Sequence, residues 1–220
     1  FHAVKNLTTA EGGAICLNLP EPFDCAATYK YLCAFSLHGQ SKDALAKTQL
    51  GNWRYDVYET GYKCNMTDVA AAMGLVELPR YDSEILPRRK QIFEAYTAAF
   101  KDDGRFQIPE YDNGEKTTSY HVYALRLTDA NESERDAVMQ RIFDQGVSVN
   151  VHFIPLPLLT AYKNMGFRME DYPTTYDNYS REISLPVYYD LTDDQVQEVI
   201  FALHDESRFL YLALTGADCL

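Results

Sequence analysis

Long apolar runs are missing from this 220-residue sequence: none approaches the roughly 18 residues of a membrane span, and no basic segment leads into an apolar one at the start, as a secretory signal would. Positive charge is scarce, with 20 Lys and Arg against 32 Asp and Glu, for a formal net charge of -12. That balance disfavours a nucleic-acid surface, and the short run Pro87-Arg88-Arg89-Lys90 is too small to offset it. Cysteine is sparse and carries no pairing pattern. Cys16, Cys25, Cys33, Cys64 and Cys219 are odd in number and lack a Cys-x-x-Cys pair, so they read as reduced thiols. His38 and His121 have no partners at metal-ligand spacing, and no metal is assigned. Asn-x-Ser/Thr matches begin at Asn6, Asn65, Asn131 and Asn178, but without a secretory signal they carry no weight. A cytoplasmic setting is the default expectation.

Hydrophobic residues make up 46% of the chain, enough to bury a sizeable core in one large or two small domains. Lys5 stands ahead of a Thr8-Thr9 turn and the Gly12-Gly13 pair, and on spacing alone it reads as a solvated surface charge. The stretch EGGAICLNL has the pattern of a tight turn with positive φ feeding a buried strand, which then needs neighbours. Residues 24–39 are mixed and apolar, and 40–60 read as loop with short helical pieces. Val69, Ala72, Met73 and Val76 follow helical spacing, with Asn65 or Thr67 as cap and Pro79 as the end. A second helix starts near Ser83, with Ile85, Arg89, Ile92, Phe93, Tyr96 and Phe100 along one face.

Residues 102–116, rich in Gly, Pro, Asp and Asn, read as a linker or long surface loop. Beyond them a strand, helix, strand unit is predicted: SYHVYALRL alternates, ESERDAVMQRIFDQG is amphipathic and closed by Gly146, and VSVNVHF puts Val147, Val149, Val151 and Phe153 on one face. REISLPVYY reads as a short strand. LTDDQVQEVIFALHD reads as a helix with a Thr192/Gln195 capping box. The expected division is 1–80, then 81–205, then a tail at 206–220.

Five stretches together resemble one family. FHAVKNLTTAEGG at 1–13, GYKCNMTDVAAAMGLVEL at 61–78, SYHVYALRL at 119–127, GVSVNVHFIPL at 146–156 and YSREISLPVYYDLTDDQVQEVI at 179–200 are similar, in order and spacing, to the C-terminal part of DegT/DnrJ/StrS sugar aminotransferases. The resemblance runs to about residue 205. It implies an α/β chain: the tail of the large domain of a fold-type I aminotransferase followed by a small α+β domain.

It also implies that Lys5 is the catalytic lysine that binds pyridoxal 5'-phosphate. That chemistry needs a primary amine able to form a Schiff base and then to move a proton between two carbons. The implied reaction is ping-pong transamination of a nucleotide-linked keto sugar, with an amino acid such as glutamate as donor. Asn65 is implied to reach the cofactor phosphate of a neighbouring subunit in a homodimer. Its alternative reading is a helix N-cap, and a helix start is itself a good anion site. Tyr62 and Lys63 share that loop, Tyr62 as a substrate contact. His152 is implied near the substrate, against a hydrogen-bonded structural histidine.

Relatives often carry a further histidine just beyond, where this sequence has Pro157 and Leu158. The chain reads as a truncated C-terminal fragment without activity of its own, exposing an apolar face that drives self-association. A regulatory relative without catalysis is the competing class, and dehydration by relatives with histidine at the lysine position is a third. Retention of Lys5 argues against both.

Overall fold

The structure, a computed structural model, describes residues 1–41 and 53–215, with side chains as far as residue 205. It divides into two compact units, Phe1–Pro79 and Arg80–Leu220.

In the first unit, helix α1 (Cys25–Phe35) begins where Asp24 accepts the amides of Ala26 at 2.8 Å and Ala27 at 3.2 Å. The segment after it pairs with the chain around residue 60, through antiparallel bridges Leu37↔Lys63 and Gln40↔Val57. Here His38 N donates to Tyr62 O and Tyr62 N donates to Phe35 O, each at 2.8 Å. Helix α2 (Asp68–Arg80) follows, and Thr67 is its cap: its hydroxyl accepts Ala70 N at 3.3 Å and its carbonyl accepts Ala71 N at 2.9 Å. The predicted helical spacing is present, yet Val69, Met73 and Val76 stay 74%, 38% and 61% exposed.

The strand expected in EGGAICLNL does not form. Ile15 is 73% exposed, and among the described residues no strand lies beside this stretch to complete a hydrogen-bonded ladder. Part of the predicted loop at 40–60 falls outside the described residues.

Pro79 lies inside the last turn of α2 rather than ending it. Ser83, the expected start of the next helix, sits within a π-helical turn at Tyr81–Ile85, in which Leu86 N donates to Tyr81 O. Helix α3 (Leu86–Phe100) then carries Arg89, Ile92, Phe93, Tyr96 and Phe100 into the core of the second unit, the face read from the sequence.

Residues 102–116 are not a linker. They lie inside the second unit and include strand β1 (Phe106–Gln107), because Phe106 is drawn into the core at 7% exposure. Strands β2 (Tyr123–Leu127) and β3 (Glu182–Leu185) complete an antiparallel sheet in the order β1-β2-β3. Between them run α4 (Glu132–Asp144), a five-residue helix α5 (Thr160–Asn164) and α6 (Pro173–Arg181). Asn131 and Glu134 form a capping box at the start of α4. The segment VSVNVHF contributes only the bridge Asn150↔Ser184 instead of a full strand, and Phe153 points outward at 73% exposure. The last helix, α7 (Asp193–Thr215), opens with the predicted Thr192/Gln195 capping box and runs past Asp205.

The register sorts the side chains of the sheet. Tyr123↔Leu185 and Leu125↔Ile183 face a core shared with α3, α4 and α7, while Ala124↔Ser184 and Arg126↔Glu182 occupy the opposite face. An antiparallel sheet whose core face is covered by α3, α4 and α7 is α+β, so the expected α/β class holds as mixed helix and sheet.

Candidate functional site

In the first unit the chain around Lys5 is a compact loop. Lys5 N donates to His2 O at 2.9 Å and Thr9 N to Phe1 O at 3.0 Å. The hydroxyls of Thr8 and Thr9 are used inside the turn: Thr9 Oγ1 donates to Glu11 O at 2.7 Å, and Thr8 Oγ1 accepts Ala10 N at 3.0 Å. Those bonds keep the loop closed and leave the Lys5 side chain exposed.

Two close approaches bring this loop to the segment bearing Asn65. A Cβ on Gly12 would stand 2.7 Å from Thr9 Oγ1 and 2.9 Å from Met66 Cε, so only glycine fits there. Gly13 has open space and no such requirement. Thr9, 3% exposed, also packs on α2, where a Cβ on Gly74 would stand 3.1 Å from its Cγ2.

Since Thr67 caps α2, Asn65 is not the cap. Its side chain is exposed just ahead of the helix, with Nδ2 3.4 Å from Met66 O. Tyr62 packs edge-on against Phe35 with ring centroids 5.2 Å apart, and it remains 67% exposed. The structure therefore gathers Lys5 and Asn65 on packed segments of one unit, with Tyr62 on the paired segment beside them.

His152 belongs to the second unit. Its backbone N–H donates to Glu182 Oε2 at 3.0 Å, and its ring Nδ1 lies 2.8 Å from Ser184 Oγ. Ser184 in turn donates a short hydrogen bond to Glu182 Oε1. Burial pushes the Glu182 carboxyl above its ordinary pKa, while Ser184, the His152 amide, Arg135 and Arg126 pull the other way.

Sequence reasoning passed over Glu182 and Ser184. Their signal was there: a carboxylate and a hydroxyl alternating with Ile183 and Leu185 along a strand. Arg135, 2% exposed in α4, was missed too. Its Nη1 donates to Tyr179 O at 2.8 Å and Glu182 O at 3.0 Å, which anchors the start of β3.

A model of the DegT/DnrJ/EryC1/StrS aminotransferase family matches residues 1–204. The chain is 34% identical over 215 residues to the spore coat polysaccharide biosynthesis protein SpsC of Bacillus subtilis, covering 93% of this chain and 52% of that protein. It is 36% identical over 207 residues to MJ1066 of Methanocaldococcus jannaschii, covering 92% of this chain and 51% of that one. Among solved structures it resembles Spr1654 of Streptococcus pneumoniae, described as a sugar aminotransferase. The PMP-form of that protein superposes with a TM-score of 0.86 at 44% identity, over 96% of this chain and 52% of the other. A PLP-form of Spr1654 superposes with a TM-score of 0.84 at 40% identity, over 96% of this chain and 51% of the other. The chain thus spans about half the length of the curated relatives it matches.

Proposed function

The chain belongs to the DegT/DnrJ/EryC1/StrS aminotransferase family, and from that premise we propose that it serves pyridoxal phosphate-dependent transamination of a nucleotide-linked keto sugar, with glutamate as amino donor, in the cytoplasm. The observation that carries this reading is the exposed Lys5 amine on a loop held closed by the hydrogen bonds of Thr8 and Thr9.

The residues fit the cofactor: the Lys5 amine for the aldehyde of the one it holds, and the exposed Asn65 amide, just ahead of a 13-residue helix, for the phosphate of the one held by the neighbouring subunit. When bound, pyridoxal phosphate supplies the electron sink for carbon–nitrogen chemistry. Lys5 Nζ then has two tasks, holding the cofactor and carrying a proton between the two carbons that exchange it. Asn65 Nδ2 would donate to the phosphate held by the neighbouring subunit of a homodimer, and Tyr62 would line the approach from the same loop. His152 contacts the sugar. Retention of Lys5 favours catalysis over a purely regulatory relative.

The test is to add pyridoxal phosphate to the 220-residue chain, reduce with borohydride and locate the pyridoxyl group by peptide mass analysis. Selective modification of Lys5 Nζ is expected, and it should vanish in Lys5→Ala. Equal modification of the other lysines would overturn the assignment. Turnover of keto sugar by these 220 residues alone is not expected.

A further inference from the structure

Asn113-Gly114 is the one Asn-Gly step in the sequence, and it sits at the tip of a small hairpin in the second unit. The hairpin closes through the bridge Asp112↔Thr117 and through Thr118 N, which donates to Tyr111 O at 3.1 Å. Its base is anchored where the Tyr111 ring meets Phe93 of the core edge-on at 5.4 Å. The tip itself is exposed to water. Gly114 has φ +83, a conformation that suits glycine, and it puts no side chain beside its own backbone nitrogen.

The contacts of the tip prepare the Asn113 carboxamide for attack by that nitrogen. Asn113 Oδ1 accepts the backbone N–H groups of Glu115 and Lys116, each at 3.1 Å. Two donors thus already face the oxygen that gains negative charge when the carbonyl carbon becomes tetrahedral, the arrangement of an oxyanion hole. Asn113 Nδ2 donates to Glu110 Oε1 at 3.2 Å, and Lys116 Nζ, 2.6 Å from Glu110 Oε2, holds that carboxylate in place. The amide is therefore fixed in orientation. Gly114 N donates to Asp112 Oδ1 at 3.3 Å, so a carboxylate stands where the attacking nitrogen must lose its proton.

We propose that Asn113 is a site of self-modification, at which this turn promotes conversion of the asparagine to isoaspartate and aspartate through a cyclic imide. A bond forms between Gly114 N and Asn113 Cγ. The Cγ–Nδ2 bond breaks with its electron pair on Nδ2, and the proton from Gly114 N passes by way of Asp112 to that nitrogen, which leaves as ammonia. Water then opens the imide: cleavage at the backbone carbonyl gives isoaspartate, and cleavage at Cγ gives aspartate. Nothing is oxidised or reduced. The new carboxylate joins Glu110, Asp112 and Glu115 in a stretch, 110–118, whose one cation is Lys116. In isoaspartate the main chain runs through the former side chain, so the N–H groups of Glu115 and Lys116 lose their shared acceptor and the tip opens.

The test is to incubate the 220-residue chain at mildly alkaline pH, folded and unfolded in guanidinium chloride, and to follow its peptides by mass for a gain of one dalton. Fragment ions that distinguish isoaspartate from aspartate identify the product. Asn113 is expected to react first among the asparagines, with isoaspartate in the product, and at least as fast in the folded chain as in the unfolded one. Gly114→Ala should slow the gain several-fold. Asp112→Ser keeps an acceptor for Gly114 N–H and removes the base, and should slow it by roughly tenfold, short of the full effect of a base in a closed site. No gain at Asn113, equal gain at other asparagines, or aspartate without isoaspartate would overturn the site. Slower reaction in the folded chain, or an unchanged rate in Asp112→Ser, would overturn the part given to the turn.

Discussion

Replacing Arg135 by methionine should destabilise the second unit by about 3–5 kcal/mol, the loss of two hydrogen bonds from a charged donor less the desolvation it relieves. The figure follows from the contacts. Arg135 is 2% exposed, and its Nη1 donates to Tyr179 O at 2.8 Å and Glu182 O at 3.0 Å, tying the last turn of α6 to the first residue of β3. Each such bond from a charged donor contributes roughly 1.5–3 kcal/mol, and Tyr179 O keeps the Glu182 N–H as a partner. Escape from burying the guanidinium offsets part of the sum. The Arg135–Asp136 contact at 2.7 Å adds little, since Asp136 is 61% exposed and its pair is screened.

Urea unfolding of the native chain, Arg135→Met and Asp136→Ala, followed by circular dichroism, measures the three. Asp136→Ala should cost less than about 1 kcal/mol, and Arg135→Met should lower the melting temperature by roughly 10 °C, at about 2–4 °C per kcal/mol. A loss below about 1 kcal/mol in Arg135→Met, or an equal loss in Asp136→Ala, would refute the view that the two carbonyls are what Arg135 is buried for.

Three further outcomes are expected. Phe93→Ala should cost about 3–5 kcal/mol in the same urea assay, because its ring is 1% exposed and meets Tyr111, Tyr120 and Tyr123 edge-on at 5.4, 5.3 and 5.0 Å; Phe93→Leu should cost clearly less. Glu182 has a folded-state pKa above its unfolded one, so the folded state holds its proton more tightly. Native stability, measured against Glu182→Gln by urea titration, should therefore fall as pH rises from the ordinary glutamate range through the raised value, then level off. Leu75, Val69 and Leu78 on α2 are 76%, 74% and 62% exposed, so the chain should elute from gel filtration above its 25.1 kDa mass, and Leu75→Lys with Leu78→Lys should shift it toward monomer.

What could be read from the sequence was whatever local spacing and burial together determine. The face from Arg89 to Phe100 on α3 was legible because one element's periodicity decides which side meets the core. The capping boxes at Asn131 and Thr192 place helix starts by the same local logic, the second recognised in advance and the first overlooked. The strand in EGGAICLNL failed because a ladder needs partners, which no local pattern can supply. VSVNVHF alternates as a strand should, yet pairs only at Asn150, since β3 offers it a single bridge.

Lys5, Asn65 and Tyr62 in the first unit and His152 in the second came from resemblance rather than spacing, and the geometry of each unit added what holds them: Thr9 and Gly12 beside the Lys5 loop, Thr67 in place of Asn65 as cap, and Ser184 behind the His152 ring. Glu182 and Ser184 escaped notice because polar residues within a strand ordinarily mean a face turned to water, and here that face is itself buried.

The four residues of β3 divide by parity, Ile183 and Leu185 into the core, Glu182 and Ser184 toward His152. Two kinds of change in this strand should then behave oppositely. A side-chain substitution on one parity should leave the other untouched, so Ile183→Val and Glu182→Gln should combine additively in stability. A single-residue insertion or deletion near Arg181 would exchange the parities, sending Glu182 and Ser184 into the apolar interior while Ile183 confronts the histidine. Core packing and the hydrogen bonds to His152 would then be lost in one step. Natural drift in this strand is accordingly free to change letters and barred from changing length.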